Sequence, residues 1–363
     1  MTYTDVESAK NEAYKKDPSV TAGSQAVESE VSASGDGGSV QSKTSENNVS
    51  SGGTPKGAAE EGQASDNCQN SEEAAPKKKS SFVVRVISSL FMIGSAAWLI
   101  YLGSWYFSAL VGVISVGLTY EYCNLAQKRG FKPNHSLTAA CSLAMTLVHH
   151  IHMDTSTSAW LCMAILFWCL FGSSLGNVFD FKDRGSAIAD SAINCMAVIY
   201  CGLLPAFLIS IRNIHVFVLI FLVLVCIATD AGAYLFGKVL GRSKLCPQVS
   251  PGKTWAGFWG ALICAVFVAY GCDAMAPRLG YSLQFNMYFW LVLGLGIGLM
   301  GQLGDLFESS LKRDAGVKDA SDIIPGHGGL LDRFDSYLFA SMFTYLSIAI
   351  CVSIPFLSEL FTK

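Results

Sequence analysis

"HVFVLIFLVLVCIATDAGAYLFGKVLGRSK", residues 215 to 244, decides the fold. Fourteen residues from Val216 to Thr229 run without a charge, and the apolar character resumes through "AGAYLF" after a single carboxylate, Asp230. A bilayer-spanning helix needs roughly 20 mostly apolar residues, and this run supplies them. A carboxylate inside such a run is costly unless it faces a partner or a water-filled cavity. The stretch therefore predicts a membrane helix that carries a functional acid and ends in a basic, glycine-containing loop.

Working outward, the same reading predicts an all-α, polytopic integral membrane protein with about nine spans. They cover 82–102, 104–125, 136–153, 157–176, 187–211, 214–236, 256–275, 285–305 and 331–355. The 363 residues are 51% hydrophobic and only 15% charged, against about a quarter charged in an ordinary soluble domain. The charge is also segregated. Residues 1–80 are dominated by Ser, Gly, Glu, Lys and Ala, and are expected to be a disordered polar tail. Residues 81–363 then form the transmembrane domain, with its polar motifs in 230–335. The extreme N-terminus, "MTYTDVESAKNEAYKKD", does not read as a secretory signal. The twelve cysteines contain no C-x-x-C, and many lie inside apolar runs, where a thiol packs as a small hydrophobe.

Lys and Arg alternate between the two sides of this topology. Lys77, Lys78 and Lys79 precede the first span, and Lys128, Arg129 and Lys132 follow the second. Lys182 and Arg184 follow the fourth, Lys238, Arg242, Lys244 and Lys253 the sixth, and Lys312, Arg313, Lys318 and Arg333 the eighth. The opposite loops carry Arg212 and Arg278 and little else. The positive-inside rule places the N-terminal tail and both motif-rich loops in the cytoplasm and the C-terminus outside.

Two polar constellations stand out. The first runs from Asp230 to Phe258. Gly237, Gly241 and Gly252 are expected at tight turns. Lys238, Arg242, Lys244 and Lys253 suit either an anionic ligand or lipid head groups. "SPGKT" lacks the spacing of a phosphate loop. The second runs from Asp305 to Asp335. Asp305, Ser309 and Lys312 share one helical face, as do Asp332 and Asp335. Three carboxylates brought together by two helix ends repel one another, and a divalent cation resolves the repulsion. Oxygen ligands favour Mg²⁺ over zinc. Between the helices lies "IIPGHGG", whose backbone suits an anion nest and whose His327 suits a phosphate oxygen. A bland reading, charges on a cytoplasmic loop, accounts for the lysines but not for Asp332 and Asp335 at the mouth of an apolar helix. Glu121, at the end of the second span, reads as interfacial, the alternative being that it lines the site. Asp180 and Asp183 read as loop charges, and Asp190 is placed to face a cavity. His149, His150 and His152 read as a loop feature rather than a metal site.

The stretch "SSLKRDAGVKDASDIIPGHGGLLDRFD", 309–335, resembles the signature of the CDP-diacylglycerol synthases, or phosphatidate cytidylyltransferases. The matching positions include Ser309, Lys312, Arg313, Lys318, Asp319, Ser321, Pro325, His327, Gly328, Gly329, Asp332, Arg333 and Asp335. "DAGAYLFGKVLGRSKL" and "SPGKTWAGF" resemble the family's upstream segments. Gly252 stands where the family usually has lysine, and Ala256 where it usually has glutamate; Lys253 and Thr254 are kept. The resemblance implies a multi-helix membrane enzyme that joins phosphatidic acid to CTP, giving CDP-diacylglycerol and pyrophosphate. It implies Mg²⁺ dependence, with room for a second cation, and allows a homodimer. Carried over by position, Asp305, Asp332 and Asp335 would be metal ligands or would orient metal-bound water. Together with Lys312 they would form the catalytic set. Ser309, Arg313, Lys318, His327, Gly328, Gly329, Arg333, Asp230 and Lys253 would bind substrate. The expected partners are CTP, phosphatidic acid and membrane lipid, with no nucleic acid, and the expected location in a bacterium is the cell membrane. Other readings are a related CTP-dependent enzyme acting on an ether lipid or polyprenol, an ion-coupled transporter using Asp230 and Asp190, and a scaffold without catalysis.

Overall fold

The computed structural model describes residues 94, 103–151, 155–179, 186–281, 285–321, 323 and 328–362. The polar tail, the expected 82–102 span apart from Gly94, and Asp180, Asp183, His152, Pro325 and His327 lie outside the described residues. The described chain is a helical assembly: α1 Ser104–Lys128, α2 His135–His150, α3 Thr155–Phe179, α4 Ala187–Ile214 and α5 Val216–Leu240. A hairpin of β1 Lys244–Cys246 and β2 Ser250–Thr254 follows, then α6 Trp255–Met275, α7 Met287–Asp314, α8 Leu331–Ser353 and the short α9 Pro355–Phe361. Seven of these helices are long and apolar enough to cross a membrane. The third expected span is the 16-residue α2, shorter than a bilayer crossing requires. A π-helical segment, Val198–Leu203, interrupts α4.

Helix starts follow local chemistry. Asn134, Ser186, Thr254 and Asn286 each accept an N-terminal amide, from Leu137, Ala189, Gly257 and Phe289 respectively. Such caps satisfy donors that a helix end otherwise leaves unpaired. Asp190 is buried, and its Oδ1 accepts the Lys132 amide at 2.9 Å. It therefore ties the α1–α2 loop to α4 rather than lining an open cavity. His149 and His150 end α2 instead of lying in a loop. His149 donates from Nδ1 to Met145 O at 2.9 Å, and His150 Nδ1 lies 2.8 Å from Ser108 Oγ.

The two larger of three apolar clusters fill most of the interior. One gathers Phe217, Phe221, Trp290, Leu293 and Ile297 from α5 and α7. The other gathers Leu118, Tyr122, Tyr200, Leu331 and Leu338, and lies under the polar residues described below. Outward faces stay apolar: Trp160, Phe167, Trp168 and Phe171 of α3 are all exposed. A soluble monomer rarely exposes such a patch, whereas hydrocarbon chains solvate it. Every cysteine among the described residues is free.

The α5–α6 contact positions the site. A Cβ on Gly257 would lie 2.7 Å from Ala233 O, and one on Gly232 would lie 2.6 Å from Cys264 Sγ. Small residues let the two backbones approach closely. Gly237 and Gly241 therefore do not form the expected tight turns. Gly237 sits inside α5, Gly241 ends it with φ −74°, and Gly252 lies in β2. The antiparallel hairpin, with Lys244 opposite Thr254 and Cys246 opposite Ser250, carries the chain from α5 to α6. It also delivers Lys253 to α7.

Candidate active site

The two polar constellations meet. Lys253 Nζ on β2 lies 2.8 Å from Asp305 Oδ2 on α7 and donates to Gln302 O at 3.3 Å. One carboxylate oxygen from each of Asp305, Glu308 and Asp335 lies within 4.8 Å of the other two. Among the described residues this is the one such cluster of His, Cys, Asp or Glu. Asp305 and Glu308 share a face of α7 at i, i+3 spacing, and Asp335 comes from the first turns of α8. Asp230 is exposed on α5, within electrostatic range of Asp305, Asp335 and Lys253.

Glu308 is fully buried, and Lys312 Nζ lies 2.6 Å from its Oε2. Its Oε1 has no hydrogen-bond donor among the described residues. A buried carboxylate oxygen without a donor is costly. A cation seated between Glu308, Asp305 and Asp335 supplies what it lacks, and three converging carboxylates are the donor set a hard divalent ion takes. The residues thus fit a magnesium-type ion. Asp335 is 8% exposed and accepts the Ser336 amide at 2.7 Å. Ser309 donates to Asp305 Oδ1 at 3.3 Å, which sets the orientation of that carboxylate.

Asp332, expected among the metal ligands, stands outside this cluster. Its Oδ1 accepts from Lys312 Nζ at 2.6 Å, and its Oδ2 accepts the amides of Ala320 and Gly329 at 3.1 and 2.8 Å. Both oxygens are engaged by the protein itself. Lys312 in turn bridges Asp332 and Glu308, each at 2.6 Å. Arg313 donates through Nε to Val249 O at 3.2 Å, fastening the hairpin to α7. Lys318 and Arg333 are exposed at the rim.

The glycine-rich segment differs most from expectation. Gly328 has φ +82°, a conformation that favours glycine. The amides that follow do not form an open anion nest. Gly329 N donates to Asp332, and Leu330 N and Leu331 N donate to Glu121 Oε1 and Oε2 at 2.8 and 2.6 Å. Glu121 is therefore not interfacial. It is fully buried and also accepts the Ser321 hydroxyl. Sequence reasoning missed Glu308 altogether and missed the amide-binding role of Glu121. Glu308 was findable, because it falls three residues after Asp305 and four before Lys312. Glu121 carries no local signal, being some 200 residues from the groups it binds.

Fold and site together define a polytopic helical membrane protein with an acidic, lysine-flanked polar centre at its helix ends. A profile of the Cytidylyltransferase family matches residues 83–351, and the chain belongs to that family. It is 33% identical over 306 residues to the phosphatidate cytidylyltransferase of a Synechocystis species, a match covering 74% of this chain and 97% of that protein. It is 38% identical over 190 residues to that of Bacillus subtilis, covering 52% and 66%. It is 45% identical over 160 residues to that of Staphylococcus aureus, covering 44% and 58%. The chain thus spans 58% of the length of the Staphylococcus relatives it matches.

Proposed function

We propose that this protein transfers CMP from CTP to phosphatidic acid. A phosphate oxygen of phosphatidic acid bonds to the α-phosphorus of CTP, and the bond from that phosphorus to the bridging oxygen of the β-phosphate breaks. CDP-diacylglycerol forms and pyrophosphate leaves. The observation that carries this reading is the Asp305–Glu308–Asp335 cluster, with a buried Glu308 oxygen awaiting a donor. Family membership and the names of the relatives point the same way.

Asp305, Glu308 and Asp335 would hold Mg²⁺, which when bound supplies positive charge to the triphosphate and the departing pyrophosphate. The attacking phosphate is already ionised, so a strong general base is not required. What remains is positioning and charge neutralisation. Lys253 and Lys312 stand beside the carboxylates for this role, with Arg313, Lys318 and Arg333 exposed nearby; the family resemblance assigns His327 to the same phosphate-binding task. Asp332 acts through Lys312, holding its ammonium against Glu308. Asp230, exposed on α5 and within electrostatic range of Asp305 and Asp335, would meet the incoming head group. A lipid substrate fits the architecture, because its acyl chains stay in the bilayer while its head group meets a soluble nucleotide. The lysine-rich loops favour a cytoplasmic orientation for this face and the N-terminus, in the cell membrane if the source is bacterial. A homodimer fits the same family reading and would be read by light scattering of solubilised protein.

Detergent-purified protein incubated with labelled CTP, Mg²⁺ and phosphatidic acid tests the proposal. CDP-lipid and pyrophosphate in equal amounts are expected. No product with phosphatidic acid, but product with an ether lipid or polyprenyl phosphate, would reassign the lipid. No nucleotide turnover with any lipid would remove the enzyme reading.

A further inference from the structure

The last membrane helix, α8, begins without a cap of its own. Its N-cap residue, Leu330, has no side-chain acceptor to offer. Helix N-termini leave amides that need a partner. Here the partner arrives from another helix: the Glu121 carboxylate of α1 accepts Leu330 N at 2.8 Å and Leu331 N at 2.6 Å, and also the Ser321 hydroxyl. A carboxylate at this end also complements the helix dipole. With one side chain Glu121 thus pins both ends of the segment Ser321–Leu331.

The pinned segment is not remote from the carboxylate cluster. Gly329 lies between the two acids. Its amide donates to Asp332 at 2.8 Å, while a Cβ on it would lie 2.9 Å from Glu121 Oε2 and 3.0 Å from Ala320 Cβ. The Ala320 amide, next to Ser321, is the other backbone donor to Asp332. Asp332 holds Lys312, and Lys312 holds Glu308. An unbroken line of backbone links and contacts, each contact 3.1 Å or shorter, therefore runs from Glu121 to the cluster.

We propose that Glu121 is a positioning residue for the reaction: by clamping Ser321 and the first amides of α8, it sets the Asp332–Lys312–Glu308 line and so the cation-binding geometry. It touches no substrate. Outer groups that orient a metal ligand typically change metal affinity or activity by about 10-fold to 100-fold when removed, and Glu121 belongs to that range. The inference uses the proposed reaction for its kinetic readout only; the clamp itself is a statement about backbone protection.

The test compares full-length wild type, Glu121→Gln and Glu121→Ala in detergent. Amide hydrogen exchange is followed over 318–333, with 204–214 of α4 as an internal reference. Mg²⁺ half-saturation, kcat and the KM for phosphatidic acid are measured alongside. In Glu121→Ala, exchange should quicken at 318–333 and not at 204–214. Half-saturating Mg²⁺ should rise about 10-fold or more with kcat falling, while the KM for phosphatidic acid stays put. Glu121→Gln, which keeps an acceptor oxygen, should fall between, and it serves the same comparison if the alanine variant does not fold. Unchanged exchange at 318–333 overturns the clamp. So does a uniform rise along the chain, or a wild-type Mg²⁺ response in an active variant. If wild type makes no CDP-lipid, the reaction proposal fails, and the exchange data alone then decide the clamp.

Discussion

Lys253 on the hairpin and Asp305 on α7 face each other at 2.8 Å across 52 residues of sequence. This pair is where the upstream and downstream polar stretches become one site. Its two side chains are 21% and 37% exposed, so solvent screens their attraction, and ion pairs of this kind contribute about 0–1 kcal/mol to stability. Lys253→Met should therefore leave thermal stability within a degree or two of wild type while lowering kcat/KM for CTP by about 100-fold, a loss of roughly 2.7 kcal/mol in transition-state binding. Thermal shift and steady-state kinetics on the same preparation check both halves. A large stability loss would make Lys253 a structural residue.

Lys312 sits differently. It is 13% exposed and lies 2.6 Å from two carboxylates, Glu308 at 0% and Asp332 at 11% exposure. Removing one partner of a buried ionic group leaves uncompensated charge and costs about 3–5 kcal/mol. Lys312→Met should be the most destabilising single change in the site. The Lys312→Met/Asp332→Asn double variant should be less damaged than the sum of the single variants, because removing both members relieves the unpaired charge. A double-mutant cycle in chemical denaturant measures the coupling, and additivity would show that Lys312 and Asp332 do not act together.

Much of this arrangement was legible in the sequence, for definite reasons. Apolar runs long enough for a bilayer are unambiguous, so α5, α6 and α8 fall close to their expected spans, whereas α7 continues to Asp314, past its expected end at 305. Helical spacing put Asp305, Ser309 and Lys312 on one face, and all three do point toward the cluster or its lysine bridge. The roles within the site were harder. Asp332 and Asp335 share a helical face but not a partner, because a one-turn offset sends Asp332 to the Lys312 ammonium and Asp335 to the carboxylates. Spacing says which side of a helix a residue occupies, not what it meets there. The part played by Glu121 was beyond reach, since only tertiary packing brings α1 against the start of α8.

The division of labour between the carboxylates can be tested directly. Asp305, Glu308 and Asp335 form the cluster, and Asp332 does not. Glu308→Gln and Asp335→Asn should each raise the Mg²⁺ concentration for half-maximal activity by about 10-fold to 100-fold, as loss of a hard oxygen ligand does. Asp332→Asn should lower kcat with a smaller change in Mg²⁺ response, because it acts through Lys312. Chelation should abolish turnover in wild type and Mg²⁺ should restore it. Titrations of the divalent ion against rate, variant by variant, provide the readout. An Asp332→Asn shift equal to that of Glu308→Gln would place Asp332 among the ligands after all.

Two glycines offer a contrast that separates crowding from mere occurrence in a motif. Gly329 is enclosed: an added Cβ would fall 2.9 and 3.0 Å from the two Glu121 oxygens and 3.0 Å from Ala320 Cβ. Gly252, in β2, would meet nothing within 4 Å. Overpacking costs about 1–3 kcal/mol, so Gly329→Ala should lower stability by that amount and loosen the Glu121 contacts as well. Its activity loss should resemble that of Glu121→Ala, with the same rise in half-saturating Mg²⁺. Gly252→Ala should stay within about 0.5 kcal/mol of wild type, as substitutions in open surroundings generally do. Gly252→Lys should be equally well tolerated, and in that position would add a cation beside Lys253. If its ammonium reaches the triphosphate, the KM for CTP should fall with kcat nearly unchanged, the signature of added ground-state binding. A drop in kcat instead would mean that the new lysine competes with Lys253 for Asp305.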